Sequence, residues 1–96
     1  MALRVHSLHA QRITHRETNM DLEYETVQLG KALEHLAEAN RRIDDQEGHL
    51  LRLDEKGLST DDARRLLTIM LDARETMKAH IAQTREFIEL IKKGVL

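Results

Sequence analysis

The sequence predicts an all-α protein: an antiparallel hairpin of two long helices that assembles as a four-helix bundle or coiled-coil dimer. Three observations carry this. Apolar residues recur seven apart in two blocks, one glycine-centred break separates the blocks, and no proline interrupts either. Strict seven-residue spacing is the mark of supercoiled helices.

The first element is a basic arm, residues 1–19. Arg4, Arg12 and Arg16 give residues 1–16 a charge of +3 with no acid. Thr14 with Glu17 is spaced as a capping box, and Asn19 before Leu22 is a competing later cap. Ile13, Met20 and Val27 are seven apart, so helical character can reach back into the arm. The expectation is an arm that is partly helical or disordered. It overhangs the hairpin and either docks on the acidic first helix of a second subunit or is loose.

The first hairpin helix is expected over about 20–56. Leu22, Leu29, Leu36, Ile43 and Leu50 form its seam, widened by Ala32, Leu33, Ala39 and Leu53. Asn40 lies beside that seam, where a polar side chain either sets register and subunit number or meets water at a bundle edge. Gly30, next to Leu29, permits close approach of another helix or is merely tolerated. The turn follows at 57–59. Gly57 suits the left-handed residue past a helix end, with Leu58 folding back on Leu53. Ser59 is the expected N-cap of the second helix, with Asp62 in capping-box position and Asp61 and Asp62 complementing the helix dipole.

The second helix is expected over about 60–93, ending at Gly94 with a Leu90–Val95 contact of the same kind. Its seam holds Leu67, Met70, Met77, Ile81, Ile88 and Ile91. Leu66, Leu71, Ala73, Phe87 and Leu90 lie beside it, making the stripe wider than two helices need. Two helices joined by about three residues run antiparallel. Centring the turn sets Leu50 opposite Leu67, Leu36 opposite Ile81, Leu29 opposite Ile88, Leu22 opposite Val95 and Ile43 opposite Arg74.

Composition bounds the function. With no cysteine there is no disulfide framework, thiolate metal site or thiol nucleophile. No apolar run approaches a bilayer span, and charge interrupts Met1–His6 too early for a signal-peptide core, so a cytoplasmic setting is expected. The net charge is −2. Neither half has the basic excess of a nucleic-acid-binding domain. Aromatic residues are only 2% of the chain. The aliphatic core of so short a chain is therefore small, which favours an oligomer.

Candidate sites are sparse. His6, His9 and His15 are the only candidate metal ligands. His6 and His9 would share a helix face, but a held site needs a third or fourth ligand. No metal or cofactor is expected. His35 and Glu38 run in the wrong order for a carboxylate-bridged di-metal bundle. Ile43-Asp44-x-x-Glu47-x-x-Leu50-Leu51 resembles a fragment of the long first helix of all-α chorismate mutases. That likeness covers nine residues, Gly57 stops the helix where that family's continues, and no arginines stand where a dicarboxylate clamp needs them. No enzyme is expected.

The predicted role is a non-enzymatic protein–protein interaction module acting through helix packing: an adaptor, small chaperone, assembly component or inhibitor. Small helical hairpins of this form occur in bacterial secretion, flagellar and phage systems, a similarity of architecture alone. The expected partners are a second copy and another, unidentified protein. Val5, Leu8, Ile13, Met20, Leu33, Asn40 and the two seams are the expected interaction residues. The alternatives are a nucleic-acid-linked regulator using the basic arm and a small histidine-dependent metal-binding bundle.

Overall fold

The computed structural model describes the backbone of residues 2–95 and the side chains of residues 20–95. Two helices, α1 (Ala2–Glu55) and α2 (Asp61–Lys92), pack against each other, with no strand among the described residues. The molecule measures 78 × 20 × 15 Å. At 1.5 Å per residue a 54-residue helix is about 81 Å long, so α1 sets the long dimension. It is also much longer than α2, which has 32 residues. α1 continues without a break through residue 20.

Both glycine ends form as expected. Gly57 has φ +69° and Gly94 φ +74°, the left-handed region that glycine enters without a Cβ clash. At the first end the Leu58 N–H donates to Leu53 at 2.9 Å and the Gly57 N–H to Asp54 at 3.0 Å. At the second, Val95 donates to Leu90 and Gly94 to Ile91, both at 3.0 Å. These are paired Schellman bonds that satisfy carbonyls a helix end would otherwise orphan.

The start of α2 differs from the expected box. Its N-cap is Thr60, not Ser59, and no side chain caps it. Ser59 Oγ accepts only a long 3.4 Å contact from the Asp61 N–H. Thr60 Oγ1 is instead occupied by Arg64 Nε at 2.9 Å. Asp61 and Asp62 stand in the first turn, where they offset the helix dipole.

Burial follows two unbroken heptads. In α1 the covered or half-covered positions run Leu22, Glu25, Leu29, Ala32, Leu36, Ala39, then on to Ile43, Gln46, Leu50 and Leu53. In α2 they run Ala63, Leu67, Met70, Arg74, Met77, Ile81, then Thr84, Ile88 and Ile91. The alternating three-and-four spacing lays one covered stripe along each helix, and the two stripes face each other in the hairpin. Ile43, at 1% exposure, is its most buried side chain.

The register is shifted by about one turn from the turn-centred expectation. Gln46 Nε2 donates to the carbonyl of Ala63 at 3.0 Å, and Arg74 Nη1 to Asn40 Oδ1 at 3.3 Å. The centred turn would have placed Leu71 and Met77 opposite those two residues. Together with the groove that Ala39 shares with Met70, Ala73 and Met77, these contacts bring the Leu36–Ile43 stretch of α1 level with the Met70–Met77 stretch of α2. The cause lies in the connection. Leu58, Ser59 and Thr60 are not helical, and such residues advance up to about 3.3 Å each against 1.5 Å in a helix. Three of them carry the chain back about as far as six helical residues would.

Candidate interaction surface

Packing divides the predicted interaction residues into three groups. Ile43, Ile81, Ile88 and Ile91 are buried between α1 and α2 of one chain. Leu22, Leu29, Leu36, Leu50, Leu67, Met70 and Met77 are half-buried in the same seam. Met20, Leu33 and Asn40 are exposed. The side chains of Val5, Leu8, Ile13, His6, His9 and His15 lie outside the described residues.

The seam contains one misfit. Arg74 occupies a core-facing position midway along α2. Its only hydrogen bond among the described residues is the one to Asn40, and its Nε is buried without a partner. No carboxylate lies within ion-pair distance of it among the described residues. Asn40, itself exposed, accepts that bond at the edge of the seam.

Charged side chains otherwise pair along single helices. Glu38 binds both Arg41 and Arg42, the latter at 3.2 Å. The Arg41 hydrogen bond, aided by Arg42, holds its carboxyl below the ordinary carboxylate range. Arg65 with Asp62, Lys78 with Glu75 and Lys92 with Glu89 are exposed pairs three residues apart. Exposed pairs of this kind add little to stability, because water and salt screen them, but they leave both outer flanks soluble.

On one face of the hairpin a groove of about 310 Å³ runs between the helices. Its floor is apolar, from Ala39, Met70, Ala73 and Met77, while His35, Glu38 and Arg42 form the α1 wall. It continues toward the turn along His49 and Arg52 on one side and Leu66 on the other. The α2 side of this face carries Leu66, Ile69 and Phe87, each exposed. Tyr24, the only tyrosine, and Phe87, the only phenylalanine, stand on this face toward the open end. The sequence pattern placed Leu66, Ala73 and Phe87 beside the seam but passed over Ile69 and Tyr24. The signal for Ile69 was present: it stands three residues from Leu66 and four from Ala73, the same spacing that identified the seam.

Among the described residues no group of three or more His, Asp or Glu side chains could hold a metal ion. None of the described helices is long and apolar enough to cross a membrane. No protein-family model, curated protein or solved structure matches the chain.

Proposed function

We propose that this protein is a helix-packing interaction module that acts as a self-associated hairpin, most simply a four-helix-bundle dimer, and presents that bundle to another protein. The observation that carries the reading is uncovered surface. Among the described residues more large apolar side chains lie exposed than lie in the buried core. Five apolar side chains are buried, whereas ten large ones among the described residues stay exposed, Ile69 and Tyr24 both at 61%. Exposed apolar patches rimmed by charge mark binding surfaces.

A cytoplasmic setting fits the cysteine-free composition. The surface offers charge and aliphatic area. The polar groups of the groove, His35, Glu38 and Arg42, stand on one exposed helix wall, and Glu38 is engaged by Arg41 and Arg42, so recognition rather than catalysis is the function proposed. Light scattering at micromolar concentration is the test. A mass of at least twice 11.1 kDa is expected. A cooperatively melting monomer would contradict the proposal.

A further inference from the structure

We propose that two copies of this chain associate through the grooved face, with α2 of each lying antiparallel on α2 of the other about a two-fold axis level with residue 78. This rests on the self-association proposed above and specifies its interface.

α2 carries a second heptad outside its seam. Starting from Leu66 and Ile69, the alternating spacing passes through Ala73, Thr76, His80 and Gln83 and ends at Phe87 and Leu90. At 3.6 residues per turn this stripe lies roughly 110° around the helix from the α1-facing seam. That angle suits a helix at the corner of a four-helix bundle, which packs against two neighbours at once. The remaining outer positions of α2 are mostly charged or small, so no other stripe competes with it.

The second stripe is palindromic in character, with large apolar residues at both ends and small or polar ones in the middle. A two-fold axis across the helices brings such a surface against itself in reverse. Antiparallel pairing about residue 78 sets Leu66 against Leu90 of the other copy and Ile69 against Phe87. Ala73 then faces Gln83, and Thr76 faces His80. Every large exposed apolar side chain of the stripe acquires an apolar partner. In this chain Leu66, Ile69 and Phe87 are 49%, 61% and 39% exposed.

The same axis is imposed on α1, and here charge supplies a second argument. The register that brings Leu36–Ile43 level with Met70–Met77 places residue 35 of α1 level with residue 78. Reversal about that level pairs residue i with 70 − i, which brings Asp21 opposite His49 of the other copy and Lys31 opposite Ala39, one residue from Glu38. Lys31 has no ion-pair partner among the described residues, and Glu38 is engaged only by its own helix. A parallel pairing would instead hold Lys31 level with Lys31 and Glu38 level with Glu38, like charge beside like. The groove lined by Ala39, Ala73 and Met77 lies close beside the antiparallel axis. There it receives the Gln83 and His80 region of the second copy.

The chain has no cysteine, so introduced thiols report cleanly. Ile69→Cys and Phe87→Cys are made as separate single variants, each in the full chain. Positions 69 and 87 are about 27 Å apart along α2. In the proposed dimer, two thiols at position 69 are therefore too far apart to bond, as are two at position 87. Under mild oxidation each variant alone should stay largely unlinked, while an equimolar mixture, refolded together, should give a disulfide-linked dimer in high yield. Efficient linkage of either variant by itself would overturn the antiparallel arrangement. A dimeric mass by light scattering with no linkage in the mixture would overturn this interface while leaving self-association intact. A monomeric mass would overturn both. A third variant, Ile69→Asp, should shift the mass toward monomer and lower the melting temperature at the same chain concentration, and an unchanged dimer would contradict the assignment.

Discussion

At the scale of single residues, the core is small enough that individual positions carry large shares of stability. Ile43, on the seam of α1, is nearly enclosed at 1% exposure. Ile43→Ala removes its buried methylenes and leaves a cavity, so urea denaturation should show a loss of about 2–5 kcal/mol. Arg74 predicts the opposite sign. It buries an unpartnered Nε and gains only a 3.3 Å bond to an exposed asparagine. Arg74→Leu relieves that desolvation and fills the seam, so the variant should be as stable as the parent or more stable by about 1–2 kcal/mol. A clear fall in melting temperature would show that the Arg74–Asn40 pair stabilises the hairpin. The sequence set Ile43 in the seam opposite Arg74 but left Arg74 itself out of the second seam. Its position, seven residues from both Leu67 and Ile81, was the signal, and the charge of its side chain masked it.

At the scale of elements, glycines with opposite backbone conformations should respond oppositely to one substitution. Gly57→Ala forces a Cβ into φ +69° and should cost about 1 kcal/mol or more, although nothing crowds the site. Gly30 is helical with open space where a Cβ would be, so Gly30→Ala should stabilise by about 1 kcal/mol. Thermal melts of the two variants beside the parent check both signs. The helix ends were legible because Gly57 and Gly94 and their Leu53–Leu58 and Leu90–Val95 partners are local signals. The register was not, because it depends on how far Leu58, Ser59 and Thr60 travel, and no side-chain pattern encodes that distance. A disulfide engineered at Leu36→Cys and Met77→Cys should therefore close within one chain more readily than one at Leu36→Cys and Ile81→Cys. The extent of oxidation of the two pairs, followed by mass spectrometry, decides between the registers. The N-cap was misplaced by one residue for a similar reason. Ser59 and Thr60 both suit a cap, and Arg64 engages the Thr60 hydroxyl.

At the scale of the whole molecule, the two-helix ribbon leaves ten large apolar side chains exposed among the described residues. The sequence announced this through a stripe wider than one partner helix could cover. The second stripe on α2 stayed hidden because its middle, Thr76, His80 and Gln83, is polar. Its apolar ends, Leu66 with Ile69 and Phe87 with Leu90, are separated by about five turns of helix. If association supplies much of the stability, folding and assembly are one equilibrium. The most direct test is the melting temperature followed by circular dichroism from about 2 to 200 μM chain. Mass action over a hundredfold range is worth about 2.7 kcal/mol at 25 °C, so the midpoint should rise by several degrees. A midpoint that stays the same at every concentration would contradict the account, because it would mean that the hairpin folds alone.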